Sequence, residues 1–121
     1  YEWQRSEVEK EIDEGNYHLD IKVHIESLPN AVNFIDLKTG NLKHTEKGFE
    51  LHFMDYGKTE KETLFFSSKT MTSVHTEYNY RGMGPCITLS TLDNTYFLFP
   101  LEEGFSATKI QFATEYLNKR G

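Results

Sequence analysis

The chain has 121 residues, a formal net charge of −6 at pH 7, and nine Phe with seven Tyr. A chain of this length forms one domain, and its aromatic residues supply the bulk for a packed core. The negative charge argues against nucleic acid and against an anionic membrane surface as partners, since both select clusters of Lys and Arg. No stretch approaches the ~20 apolar residues of a membrane-spanning helix, and no signal-peptide pattern opens the sequence.

Residues 1–15 are typical of a charged linker helix, helical over 2–14. Val8 and Ile12 are four residues apart on one stripe, and Gly15 supplies a C-terminal stop. The many acidic residues predict a solvated face, and the narrow apolar stripe predicts light docking on the domain or on an upstream neighbour. Because the sequence begins without Met and with a helical pattern, we expect a fragment of a longer protein.

Residues 16–121 are predicted to form a single β-rich domain. Strict alternation of apolar and polar residues over 17–26 gives the clearest strand. Turn signals predict hairpins at 38–41 and 92–94. About nine β-patterned stretches run as far as Pro100, and after the first they include 32–37, 42–44, 48–53, 62–66, 71–80, 86–91 and 95–99.

An amphipathic helix is predicted over 106–120, with Ser106 as its N-cap and Ile110, Ala113 and Leu117 on one face. The order of elements predicts an α+β domain that is mostly β. We expect about seven antiparallel strands in a partly open barrel or sandwich, with this helix packed on one end and a short helix at the N-terminus.

That order resembles the pleckstrin-homology or GRAM superfold, in which about seven antiparallel strands in two packed sheets are covered at one end by a C-terminal helix. The lipid-binding members of that superfold carry basic residues in the first hairpin loop. In this chain the corresponding loop, 26–30, has no Lys or Arg. Phosphoinositide binding by that route is therefore not expected, and fold alone does not give function.

The polar face of the first predicted strand is the candidate interaction surface. It carries His18, Asp20, Lys22 and His24. Because residues 18 and 24 lie about 20 Å apart on an extended strand, the two histidines cannot share one metal ion. We expect these positions to be solvated and to contact another domain or protein, and we expect no metal site.

Two other patterns have ordinary interpretations. His75 and Glu77 share one strand face about 7 Å apart, as sheet neighbours do, although such a pair can supply a base and a carboxylate. The sequence Gly82-Met83-Gly84 does not open a helix, so it is read as a turn rather than as a phosphate cradle. We therefore expect no catalytic residue and no cofactor.

The single cysteine, Cys86, excludes an internal disulfide and favours a reducing, cytoplasmic setting. It begins an apolar run after Gly84-Pro85, which favours a buried structural thiol. The alternative, a nucleophile, requires a nearby His and an orienting group.

Aromatic residues alternate on the later strands, where they favour the core or a cross-strand ladder. In the alternative interpretation, Tyr78, Tyr80 and Phe97 line a small-ligand pocket inside the barrel.

A second resemblance rests on four segments: Tyr1-Glu2-Trp3-Gln4-Arg5, Ser27-Leu28-Pro29-Asn30, Thr91-Leu92-Asp93-Asn94-Thr95-Tyr96 and Ala113-Thr114-Glu115-Tyr116. They are similar to the segment that follows the catalytic domain in some Gram-positive phospholipid/glycerol acyltransferase-like proteins, the lysophosphatidate acyltransferase group. The acyltransferase signature, His followed five residues later by Asp, is absent after all five histidines.

This resemblance implies a non-catalytic binding or regulatory domain, C-terminal to the catalytic domain of a bacterial acyltransferase-like protein of phospholipid biosynthesis. Its expected partner is that upstream domain or another protein. Because the domain is acidic and neither terminal helix joins a basic face to a large apolar one, it is not expected to anchor a membrane-associated parent. The remaining alternatives are a small-ligand-binding β-barrel, a domain of an unrelated cytosolic protein, and a hydrolase or isomerase whose site one sequence does not reveal.

Overall fold

The structure is a computed structural model that describes residues 3–25, 35–54, 61–79, 82, 84–101 and 107–120. Two helices flank seven strands, which confirms the predicted mostly β, α+β class. The elements are α1 Arg5–Glu14, β1 Tyr17–Ile25, β2 Ile35–Thr45, β3 Gly48–Met54, β4 Lys61–Phe66, β5 Ser73–Glu77, β6 Cys86–Ser90, β7 Asn94–Pro100 and α2 Ala107–Arg120.

All seven strands belong to one antiparallel sheet in the order β4-β3-β2-β1-β7-β6-β5. β1 lies at the centre and pairs with β2 on one side and β7 on the other. The rings of Phe66 in β4 and Tyr96 in β7 meet edge to face, with centroids 5.2 Å apart. Since three strands separate β4 from β7 in the order, this contact requires the sheet to curl over itself. Its two edges, β4 and β5, do not pair with each other in the described part of the chain.

The inner face of the sheet, defined by Leu19, Ile21 and Val23 of β1, carries the main core. Both helices pack on this face. Three side chains of α2 and two of α1 are fully buried in the same cluster, and they are Ile110, Ala113, Leu117, Val8 and Ile12. The two helices thus seal one apolar core rather than two.

Helix α1 is held more firmly than its narrow apolar stripe predicts. The Lys109 ammonium of α2 lies 3.1 Å from the Glu11 carboxylate and 4.1 Å from the centre of the Trp3 ring. The Tyr116 hydroxyl of α2 donates a hydrogen bond to Asp13 at 2.5 Å. Light docking of this helix was therefore a wrong expectation, because its polar face contributes contacts that a count of apolar positions leaves out.

The N-terminal helix begins at Arg5 and not at residue 2. It ends as predicted at Gly15, which adopts the left-handed conformation with φ of 75°. The amides of Gly15 and Asn16 bond back to the carbonyls of Ile12 and Glu11 at 3.1 and 2.8 Å. This pattern satisfies carbonyl groups that a helix end otherwise leaves open.

The predicted hairpin at 38–41 is wrong, because β2 runs through it without a break and turns at 46–47 instead. The prediction used Gly40 as a turn signal. A Cβ atom built on Gly40 would lie 2.4 Å from the His52 carbonyl oxygen and 2.5 Å from the Ile21 side chain. The glycine therefore permits close packing across three strands, which is the other use of glycine in a sheet.

Two further expectations change in extent. β5 covers Ser73–Glu77 and is shorter than the strand predicted over 71–80. The stretch predicted at 32–34 and the cap at Ser106 lie outside the described residues. Neither helix in the described part of the chain is long and apolar enough to cross a membrane.

Candidate functional site

The predicted interaction residues of β1 share the outer face of the sheet, which is the face away from both helices. His18, Asp20, Lys22 and His24 alternate with buried inner-face residues along the strand. His18 is exposed, and the other three are partly exposed. The strand register thus places the four side chains together on one surface.

Strand pairing extends this surface into a polar row across four strands, which we call the outer row. His18 of β1 is opposite Asn41 of β2, Asn41 is opposite His52 of β3, and His52 is opposite Thr63 of β4. Neighbouring strands lie about 4.8 Å apart, so His18 and His52 are separated by about 10 Å. The outer row brings together residues that are far apart in the sequence.

A shallow cavity of about 150 Å³ opens along the outer row. His18, Asn41 and His52 line it together with Thr39, Lys61 and the inner-side residues Gly40 and Phe53. The polar side chains combine donors, an acceptor and one fixed positive charge. Such a cavity suits a polar or acidic side chain of a partner.

Hydrogen bonds hold Asn41, His52 and Thr63 of the outer row. The His52 ring contacts Glu50 through Nε2 at 2.9 Å and Thr63 through Nδ1 at 3.2 Å. The Asn41 amide donates to the Gly15 carbonyl oxygen at 2.9 Å, which ties the outer row to the end of α1. The series Glu50, His52 and Thr63 has the order of an acid, base and hydroxyl relay, but Thr63 is exposed and lies outside the cavity lining.

The second His and carboxylate pair forms on β5. His75 Nε2 lies 2.9 Å from Glu77 Oε1, and both side chains are about half exposed. The register places His75 opposite Thr88 and Glu77 opposite Cys86. Glu77 is therefore the direct cross-strand neighbour of Cys86, and His75 lies two residues away on the same face of β5.

Cys86 itself is fully buried, as predicted for a structural thiol. Burial is the main cause that raises its pKa to about 11, with a smaller contribution from the Glu77 charge and an opposing one from Thr88. The thiolate is the nucleophilic form of cysteine, and at neutral pH this thiol stays protonated. The neighbouring His75 and Glu77 thus lie beside a weakly reactive group.

The three residues of the alternative small-ligand pocket do not share one environment. Tyr78 is 61% exposed beyond the end of β5. Phe97 is buried on the outer side of β7, in a small apolar cluster with Cys86 and Phe99. Tyr80 lies outside the described residues. The hypothesis required Phe97 to face the barrel interior. Phe97 instead lies on the opposite face of the sheet.

The sequence interpretation missed Asn41, His52 and Lys61 as site residues. Asn41 was assigned to a turn, and no role was assigned to His52 or Lys61. Reading 39–45 as a strand would have placed Asn41 in alternation with Leu42, which is fully buried. The pairing of Asn41 with His18 depends on strand register, which a single sequence does not specify here.

Comparison with protein-family models, with curated proteins and with solved structures finds no match to this chain. Within the described ranges, no group of three or more His, Cys, Asp or Glu side chains is arranged to hold a metal ion. The geometry of the outer row is therefore the basis for a functional proposal.

Proposed function

We propose that this chain is a non-catalytic binding or regulatory domain that contacts a protein partner through the outer row and the adjoining residues of β1. The observation that carries the proposal is the cavity of about 150 Å³ on a sheet face that neither helix covers. The residues around it are positioned by strand register and by hydrogen bonds.

The size of the cavity favours a macromolecular partner. Pockets that enclose whole small ligands usually measure about 300 to 1,000 Å³. A cavity of about 150 Å³ admits a single side chain. Lys61 favours an acidic group in the cavity, while Glu50 beside His52 and Asp20 opposite Thr39 give a rim of both signs. Mixed charges of this kind select one partner over others.

The chemistry of the remaining titratable groups supports a non-catalytic role. Burial keeps Cys86 protonated at neutral pH. His44 lies 3.0 Å from Asp13 Oδ1, and its ring stacks at 4.8 Å on Phe49. His44 therefore joins α1 to the sheet, as a structural residue does, rather than facing a substrate cavity.

The resemblance noted in the sequence gives the class of partner. We infer that the domain accompanies an acyltransferase-like catalytic domain of bacterial phospholipid metabolism and contacts it, or contacts another protein that regulates it. The acidic charge of the domain supports a protein partner over nucleic acid.

Site-specific photo-cross-linking in cells tests the proposed surface. A photoreactive residue replaces His18 or Thr63, at the two ends of the outer row, in the full-length protein. A matched control replaces the exposed Lys119 on α2. We expect both outer-row positions to label one common partner peptide, and Lys61→Glu to reduce the yield. Equal labelling from position 119, or none from positions 18 and 63, would contradict the proposal.

A second assay tests the absence of catalysis. The purified chain is incubated with chromogenic acyl esters of several chain lengths. We expect turnover equal to that of the variant carrying both His75→Ala and Cys86→Ala. Turnover that disappears in either single variant would show that the proposal is wrong.

A further inference from the structure

Two exposed large apolar side chains lie in one cleft of the molecule. Phe65 of β4 is 44% exposed, and Leu92 in the turn between β6 and β7 is 85% exposed. The cleft has a volume of about 310 Å³, and Leu64, Phe66 and Tyr96 also line it. Apolar side chains that cluster on a surface mark a binding site more often than scattered ones do.

The cleft follows the open edge of β4. Leu64 and Phe66 pair with the inner-face residues Leu51 and Phe49, while Phe65 pairs with the outer-face residue Glu50. Side chains from both faces of one strand can line the same cleft only along the edge of that strand. β4 is terminal in the strand order, so the backbone N–H and C=O groups on this edge pair with no other described strand.

Hydrogen bonds close both flanks of the cleft. In the turn between β6 and β7, the Thr91 amide bonds the Asn94 carbonyl at 2.8 Å, and the Asn94 amide bonds the Thr91 hydroxyl at 3.2 Å. In the segment after β4, the Ser67 amide bonds the Thr70 hydroxyl at 2.9 Å. A cleft with ordered flanks loses little entropy when it binds.

We propose that the cleft binds an extended peptide, which adds as an eighth strand along β4 and inserts one apolar side chain between Phe65 and Leu92. The edge of β4, which no other described strand covers, supplies hydrogen bonds to any extended backbone, and the apolar walls select the side chain. The net charge of −6 favours a peptide with basic flanks over an acidic one. This site shares β4 with the outer row through Thr63, but its lining and that of the outer-row cavity have no residue in common, and the proposal does not rest on the outer row.

A single strand fits the cleft better than a second copy of the chain does. The turn that carries Leu92 stands opposite β4, and the volume of about 310 Å³ between them holds a few side chains. A second copy pairing through its own β4 would bring a whole sheet against this turn. The peptide is therefore the proposed occupant, and the dimer is an outcome of the test.

The test uses the whole chain labelled with ¹⁵N and a set of synthetic peptides with basic ends. The peptides alternate Thr with apolar residues and differ only in the central residue, which is Val, Leu, Ile or Phe. We expect at least one to shift the amide signals of 61–66 and 91–96. A version with alternate backbone nitrogens methylated cannot pair along one edge, and it should bind at least about tenfold more weakly.

Three variants locate the site. Leu92→Asp and Phe65→Asp should weaken binding about tenfold or more, since each places a charge on an apolar wall. Tyr78→Asp, at an exposed aromatic residue away from the cleft, should leave binding within about twofold. The high exposure of Leu92 ensures that its variant folds, which the amide spectrum verifies.

Four results would overturn the proposal. They are no binding by any peptide, equal binding by the methylated peptide, shifts confined to other strands, and a concentration-dependent dimer that Phe65→Asp abolishes. Cross-linking from position 18 on β1, which two strands separate from β4, does not depend on any of them. Failure here is thus distinguishable from failure of the outer-row proposal.

Discussion

The two faces of the sheet use the same strands for opposite purposes. On the inner face, Leu19, Leu51 and Leu98 are fully buried under two helices. On the outer face of β1 to β4, His18 and Thr63 are exposed, and their neighbours form side-chain hydrogen bonds and a shallow cavity. A burial pattern with a period of two fixes the first face by hydrophobic free energy. It leaves the second face open to selection for binding.

The largest predicted effect is a difference in the free energy of unfolding between a substitution on the inner face and one on the outer face. Leu98→Ala removes a fully buried side chain from β7, which lies between β1 and β6. We expect it to lower the free energy of unfolding by about 2 to 5 kcal/mol, since it loses burial and leaves a cavity. His18→Ala on the exposed outer face should change the same quantity by less than about 0.5 kcal/mol. Urea unfolding at neutral pH measures both. Similar losses in the two variants would show that the outer face is part of the core.

The same contrast explains how far the sequence alone could lead. Alternation over 17–26 predicted β1, and the turn at 92–94 predicted the β6–β7 hairpin, because both signals are local. The outer row was not predictable, since it depends on register across β1 to β4. Gly40 shows the reason in one residue: its local signal indicates a turn, and its structural role is close packing between strands.

Local sequence signals also could not predict how α1 packs on the rest of the domain. Its acidic residues were expected to be solvated, and Glu11 and Asp13 instead contact α2 residues that lie about a hundred positions away. A charge pattern cannot distinguish a solvated carboxylate from one that meets a distant Lys or Tyr. Long-range partners of polar side chains therefore account for most of what the sequence left open.

The next prediction tests the role of Gly40 in the close packing of β1, β2 and β3. Gly40→Ala places a Cβ 2.4 Å from a backbone oxygen of β3, which the sheet cannot accommodate without moving strands. We expect a loss of about 1 to 3 kcal/mol in the free energy of unfolding, as for other overpacked sites. Thr39→Ala, at the exposed neighbouring position, is the matched control and should cost less. If Gly40→Ala were as stable as its control, β2 and β3 would not approach as closely as described.

Cys86 predicts a pH dependence of stability. Its pKa is raised from an ordinary 9.0 to about 11 in the folded chain. Between those values the unfolded chain releases the thiol proton and the folded chain keeps it. Stability is therefore fully present below pH 9 and falls as the pH rises towards 11. We expect a loss on the order of 2 kcal/mol from this group.

Other groups titrate in the same pH range, so the contribution of Cys86 is measured as the difference between two proteins. Urea unfolding of the parent chain and of Cys86→Ala is followed from pH 8 to pH 11, and the Ala variant should lose less stability over that interval. Parallel curves for the two proteins would contradict the burial of the thiol on the outer face.

The smallest predicted effect compares one polar contact on each face. Tyr116→Phe removes the hydroxyl that bonds Asp13 at 2.5 Å, while the ring can keep its edge-to-face contact with Phe49 at 5.7 Å. We expect a loss of about 1 kcal/mol, because Tyr116 is largely buried and its acceptor is a carboxylate. Thr63→Val removes the exposed hydroxyl that contacts His52 and should cost less than about 0.5 kcal/mol.

A double-mutant cycle measures the coupling between Tyr116 and Asp13, including the part carried by His44, which contacts both. Combining Tyr116→Phe with Asp13→Asn should give a coupling free energy of about 0.5 to 1 kcal/mol in urea unfolding. The same cycle for Thr63→Val with His52→Gln should give a coupling near zero, because solvent replaces an exposed hydrogen bond with little change in free energy. A larger coupling on the outer face would mean that the outer row contributes to folding. Its hydrogen bonds would then hold the strands in register, and binding would no longer explain their arrangement.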